Sequence, residues 1–207
     1  MSRVEVAARP AAASTTTFPS QSLGEFLRRI GKLDPHPHVL DLGILCGDNI
    51  AFLGARGCRV SVESLPTVTT LPSPLQYPPE SFSGVLAWDA IARLTPGDAT
   101  TLVETLRQLL VEGGVMLAYF PPGTEASSGG RYRIASAELL SLESAPRSSL
   151  THSASSLMHP ARSHPPHPYQ NREIYLLFAR FEVVRLAQLK SGAREVLLSR
   201  TRRAGRE

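Results

Sequence analysis

The sequence predicts a doubly wound, mostly parallel α/β sheet, and three observations carry that prediction. Val39-Leu40-Asp41-Leu42-Gly43-Ile44-Leu45-Cys46-Gly47-Asp48-Asn49 reads as a buried strand that breaks into a glycine turn and opens a helix, the place where α/β folds seat a small-molecule cofactor. Strand, helix and strand recur at least three times, as a parallel sheet with crossover helices requires. Val115 to Phe120 is a continuous apolar run, as a central strand covered on both faces needs to be.

In chain order, residues 1 to 19 are rich in Ala, Ser, Thr and Pro without periodicity, the composition of a disordered lead. The single domain is expected to begin at Ser20. Leu23, Phe26, Leu27 and Ile30 then share one helical face, with Ser22 as cap and Gly31 as stop. A strand over His38 to Leu42 leads through the glycine turn to a helix of about Asn49 to Ala55, ended by Gly57, and a second strand over Arg59 to Glu63. Pro66, Pro72, Pro74, Pro78 and Pro79 forbid a long regular element, so 65 to 80 is expected as loop with at most a short strand.

Phe82 to Trp88 reads as the next strand. Thr95-Pro96-Gly97-Asp98 then feeds a helix with Leu102, Leu106, Leu109 and Leu110 as its apolar stripe and Gly113-Gly114 as its stop. After Pro121-Pro122 the composition turns to Ser, Pro, His and Gly as far as about residue 170, a flexible insertion with one helical candidate near Ser136 to Leu142. His152, His159, His164 and His167 are irregularly spaced among prolines and give no metal-ligand geometry. A helix over Asn171 to Ala179 and strands over Phe181 to Leu189 and Glu195 to Arg200 close the chain, and the short turn at Ser191-Gly192 makes those strands antiparallel.

Bulk properties exclude several classes. The chain has 207 residues, 22 Lys+Arg and 18 Asp+Glu, and a chain of this size buries roughly 70% of its unfolded surface. Basic residues are scattered until Arg194, Arg200, Arg202, Arg203 and Arg206, which read as a solvated tail, so nucleic-acid binding is not implied. Cys46 and Cys58 fall in buried α/β segments and suit a reducing cytoplasm better than a disulfide framework. No stretch reaches the 18 or so apolar residues of a membrane span.

Chemistry concentrates at the carboxyl ends of the strands. Gly43 and Gly47 allow a ligand to approach the main chain without a Cβ in the way. Asp41 is placed to accept a hydrogen bond from a cationic amino group or from the loop's own amides. The two oxygens of Glu63 match a vicinal diol such as a ribose. Trp88 serves either to flank an adenine ring or as packing, and Asp89 is the one candidate base.

Asp41-x-Gly43-x-x-x-Gly47, the acid after the second strand, Tyr77-Pro78-Pro79-Glu80-Ser81-Phe82-Ser83-Gly84-Val85-Leu86 and Leu106-Arg107-Gln108-Leu109-Leu110-Val111-Glu112-Gly113-Gly114-Val115 together resemble the class I S-adenosylmethionine-dependent methyltransferases. The likeness covers about residues 22 to 120 and 171 to 200. It implies a Rossmann-like, seven-stranded sheet of order 3-2-1-4-5-7-6 with a C-terminal antiparallel hairpin, and S-adenosylmethionine as cofactor. It places Asp41, Gly43 and Gly47 around the methionine part, the end of the second strand, Glu63 and Ser64, at the ribose, and Ala87 to Asp89 near adenine and substrate. Where the family has a third glycine this chain has Leu45, whose side chain is expected to crowd the cofactor's carboxypropyl arm. The usual ribose acid falls on Ser64, with Glu63 one position early and directed to the other face of an unbulged strand. Ser83 and Glu112 replace an acid and a proline.

The resemblance implies methyl transfer to an acceptor, a small molecule or a protein, and such a reaction depends mainly on proximity and orientation. The alternative is a catalytically inactive member that works as a binding or scaffold protein. A dehydrogenase-type site would need Gly-x-Gly-x-x-Gly, which Gly43-Ile44-Leu45 does not supply.

Overall fold

The computed structural model describes residues 14–65, 75–122, 130–144 and 168–201. Strands β2 (His38–Asp41), β3 (Arg59–Val62), β4 (Phe82–Trp88) and β5 (Leu110–Phe120) run parallel, and β8 (Phe181–Gln188) and β9 (Arg194–Arg200) add an antiparallel hairpin, in the order β3-β2-β4-β5-β9-β8. This is the expected order without its first strand. Among the described residues the sheet has six strands, and the expected seventh would fall between β3 and β4, where 66–74 lie outside the described residues.

Helices cover both faces, which is why β4 is buried at all seven positions. On one face α3 (Pro96–Leu109) and α4 (Asn171–Leu177) enclose Leu40, Val85, Leu102, Leu106, Met116 and Phe178. On the other α1 (Leu23–Leu33) and α2 (Gly47–Gly54) enclose Val39, Leu53, Leu86, Leu117 and Leu197. Gly84 lets α1 approach β4: a methyl there would stand 2.7 Å from Phe26 Cζ and 2.9 Å from Ile30 Cγ2. The α1 stripe of Leu23, Phe26 and Ile30 is buried as its spacing predicts. Its cap differs from the expectation: Ser22 holds the cap position without a side-chain bond, while Leu23 N donates to Ser20 Oγ at 3.0 Å. Gly31 does not stop the helix, which runs on to Leu33.

Three further expectations are corrected. Ser14–Pro19 is not a loose lead but strand β1, and the segment after β5 is not structureless: β6 (Arg131–Ile134) and β7 (Leu139–Ser144) pair with it in a second sheet of order β1-β7-β6. Ser136 to Leu142 is accordingly turn and strand rather than helix. These segments lack sequence signal because each is short and partly exposed, so burial against the main sheet and cross-strand pairing decide them. Leu109 ends α3, and β5 begins at once. Gly113-Gly114 therefore serves a bulge inside β5, where Leu110 pairs with Phe82 and Val115 with Gly84. Gly113 takes φ 77° there, and a methyl on Gly114 would stand 2.8 Å from Val111 O.

The expected basic tail is also ordered in part. Arg194 and Arg200 belong to β9, Arg194 Nη1 donates to Tyr169 O at 3.1 Å, and Arg200 is buried. Residues 1–13, the four histidines 152, 159, 164 and 167, and Arg202, Arg203 and Arg206 lie outside the described residues. Cys46 is buried and Cys58 half-buried, and both are free thiols. No described helix is long and apolar enough to cross a membrane.

Candidate functional site

The parallel sheet grows outward in both directions from β2, to β3 on one side and β4 on the other, so the switch point lies where β2 and β4 end. Ligands of open α/β sheets enter the crevice at that point. Asp41, Gly43, Asn49 and Trp88 meet there.

Asp41 is 2% exposed. Its Oδ1 accepts from Gly43 N at 2.8 Å and from the Trp88 indole Nε1 at 2.6 Å, while Oδ2 accepts from Asn49 Nδ2 at 3.5 Å. The loop amide is one of the two partners expected for Asp41, and the indole N–H is the second donor to the same oxygen. Trp88 holds φ 46°, a left-handed backbone rare for so bulky a residue. Its ring is locked in a cluster of three nearly parallel aromatics: Trp88 to Tyr132 5.1 Å, Tyr119 to Tyr132 5.5 Å and Trp88 to Tyr119 6.2 Å between centroids, at 12–25° between planes. Such offset stacking adds to the burial of the rings.

The second sheet is fastened over this cluster by α2. Asn49, 1% exposed, donates from Nδ2 to Tyr132 O at 3.0 Å and accepts at Oδ1 from Ile134 N at 2.8 Å, as a neighbouring strand would. Arg133 and Asp48 add an exposed ion pair at 2.7 Å. Behind the rings, Tyr119 OH donates to Glu195 Oε2 at 2.6 Å and Ser20 Oγ donates to the same atom at 2.8 Å. Ser20, Asn49, Tyr119, Tyr132 and Glu195 carried no motif in the sequence. Asn49 stood at the end of the glycine turn, and Tyr119 and Glu195 lay in expected strands, whereas Tyr132 and Ser20 would have needed the second sheet to be foreseen.

The remaining candidates are dispersed. Glu63 accepts from Tyr77 OH at 2.7 Å, and Tyr77 packs edge-on against Phe82 on the α3 side, opposite Trp88. Ser64 Oγ donates to Gly43 O at 3.1 Å and ties the end of β3 to the turn. Asp89 is 4% exposed and faces Arg93 Nε at 3.4 Å; burial pushes its carboxyl above the usual range, with Arg93 pulling against it. Leu45 is 59% exposed and Ile44 beside it 40% exposed, so neither side chain fills the crevice as folded. What fills the space is Trp88, since a methyl on Gly43 would stand 2.7 Å from the indole Cδ1 and 2.8 Å from Nε1. Gly47, by contrast, faces open space.

A testable consequence concerns Asp41. Burial raises its carboxyl above the usual range, against the pull of Gly43 N, Trp88 and Asn49. A raised folded-state pKa means that its contribution to stability is fully present below the unfolded value of about 3.9 and is lost as pH rises through the folded value. Asp41→Asn keeps an acceptor oxygen and removes the charge, so its stability relative to wild type should improve between about pH 3 and about pH 7. Urea denaturation at the two pH values checks this; a relative stability that falls instead would mean that the donors outweigh burial.

Neither a protein-family model nor a curated protein matches the sequence. Solved structures do match the fold. The N-methyltransferase NodS from Bradyrhizobium japonicum superposes with a TM-score of 0.51 at 10% identity, over 88% of this chain and 96% of that one. The class I methyltransferase fold is therefore the fold of this chain. A Rhodobacter sphaeroides protein named for Zn-dependent alcohol dehydrogenases superposes at 0.53 with 14% identity, over 90% of this chain and 91% of that one. A Burkholderia thailandensis 1,6-didemethyltoxoflavin-N1-methyltransferase, solved with S-adenosylhomocysteine, superposes at 0.48 with 16% identity, over 88% and 79%. Within the methyltransferase fold, chemistry has to be argued from the site, because a shared fold does not fix it. Among the described residues no group of three or more His, Cys, Asp and Glu is placed to hold a metal ion.

Proposed function

We propose that this methyltransferase-fold chain works as a binding or scaffold protein whose switch-point crevice is closed by its own Trp88. The observation that carries the reading is the indole seated against Gly43 with its N–H on Asp41. Those are the two residues that would receive the methionine part of S-adenosylmethionine, and as folded they do not fit it: the glycine face is covered and the carboxylate already has its donors. Glu63 supports the same reading, since its carboxylate is turned to Tyr77 on the opposite face of the sheet.

A second reading, a methyltransferase that uses S-adenosylmethionine, is favoured by the retained Asp41, Gly43 and Gly47 at the switch point and by the open face of Gly47. Calorimetric titration of the folded protein with S-adenosylmethionine and S-adenosylhomocysteine separates the two. Under the proposal neither ligand gives saturable heat at about 1 mM, a concentration that would detect even weak binding. A dissociation constant well below that for either ligand would overturn it in favour of the enzyme.

A further inference from the structure

Apart from its crevice, the molecule has four strand edges among the described residues, and three are guarded. Edge strand β3 is only four residues long. Strand β8 carries a bulge between Val183 and Arg185 and exposes Glu182 and Arg185. The Asn49 side chain bonds Tyr132 O and Ile134 N of β6. Short length, bulges, charge and side-chain cover are the usual devices that stop sheets from adding strands.

Strand β1 has none of these four, and its one guard is Pro19 at its last position. Ser14-Thr15-Thr16-Thr17-Phe18-Pro19 is six residues long, carries no charge, has no bulge in its pairing with β7, and is exposed from Ser14 to Thr17. Its hydrogen-bonding direction is fixed by the register: Ser20 N donates to Glu138 O at 2.9 Å, and Ser20 stands opposite Glu138 in the same ladder that pairs Pro19 with Leu139. Even-numbered residues therefore bond β7, and the N–H and C=O groups of Thr15 and Thr17 point outward. Pro19, also on the outward parity, has no N–H to offer, as an edge strand allows.

We propose that β1 pairs antiparallel with β1 of a second copy of this chain, about a two-fold axis at Thr16. That register uses every outward amide of Thr15 and Thr17. Thr15 exchanges two hydrogen bonds with Thr17 of the second copy, and Thr17 does the same with Thr15, which joins the two three-stranded sheets into one. A second copy fits this edge because the pairing is closed by symmetry, sets threonine against threonine, and brings no like charges together. This inference is independent of what the crevice binds.

Sedimentation velocity on the full chain between about 5 and 500 μM tests it, a range suited to so small an interface. The expected result is a reversible monomer–dimer equilibrium. Thr17→Pro removes an outward N–H and leaves the β7 ladder untouched, and Thr16→Lys places two ammonium groups face to face at the axis. Each should raise the dissociation constant at least about fivefold with the far-ultraviolet circular dichroism unchanged. A wild-type chain that stays monomeric throughout, or a dimer equally strong in both variants, would overturn the proposal.

Discussion

Trp88→Ala is expected to lower the unfolding free energy by about 3–5 kcal/mol, the range for deleting a large buried aromatic. The indole is 1% exposed, it stacks against Tyr119 and Tyr132, and it donates to Asp41. Its removal leaves a cavity and takes one donor from a buried carboxylate. Trp88→Phe is the milder change: it keeps a six-membered ring in the crevice and loses the N–H together with the pyrrole part of the indole. It should cost about 1–2 kcal/mol, and urea denaturation of both variants measures the difference. A loss below about 1 kcal/mol for Trp88→Ala would show that the indole is not packed in the crevice, since core truncations of this size cost more. Trp88→Phe still keeps an aromatic ring in the crevice and should bind S-adenosylmethionine no better than wild type.

The second large effect belongs to Arg200. Its Nη1 donates to Leu110 O and its Nη2 to Glu80 Oε1 at 2.8 Å, with the side chain 9% exposed. One guanidinium thus joins the last strand, the first residue of β5 and the turn before β4. Glu80 takes φ 57° in that turn, a left-handed conformation uncommon for a residue other than glycine, aspartate or asparagine. Arg200→Ala should cost about 2–3 kcal/mol, because it leaves Leu110 O without a charged donor. For a domain of this size that corresponds to a fall in Tm of roughly 5–10 °C. Glu80→Gln should cost less, since Glu80 is half exposed and Arg200 keeps its bond to Leu110. Equal losses for the two variants would place the stabilisation in the ion pair instead of the carbonyl contact.

Periodicity made most of the main sheet legible. Apolar runs gave β2, β4 and the second half of β5, the stripe of Leu102, Leu106 and Leu109 gave α3, and the turn at Ser191-Gly192 gave the β8–β9 hairpin, whereas Leu110, expected in the helix, opens β5 five residues ahead of Val115. These elements are buried on at least one face, so their pattern is written locally. The reading failed where one residue serves two demands. Gly113-Gly114 looked like a helix stop and is a strand bulge, because a glycine pair satisfies either geometry. Ser14 to Pro19 looked irregular because its partner strand stands far away in sequence, Ser14 opposite Ser144, and Ser136 to Leu142, expected as a helix, is turn and strand because it pairs with β6 and with that distant segment.

For the candidate site, the sequence by itself determined the switch point, with Asp41, Gly43 and Gly47 on a turn between strand and helix. It also determined that Glu63 and Ser64 face opposite sides, since strand side chains alternate. Only the tertiary structure decided what fills the crevice. Leu45 was the residue whose bulk suggested an obstruction, and the turn directs it to solvent. Trp88 comes from a different strand, Tyr132 from the second sheet and Tyr119 from β5, and their stacking, which seats the indole against Gly43, depends on three separate chain segments meeting. Local sequence patterns encode which face of an element is apolar. The side chain that reaches across to another element's glycine is set by packing, and packing is a property of the assembled fold.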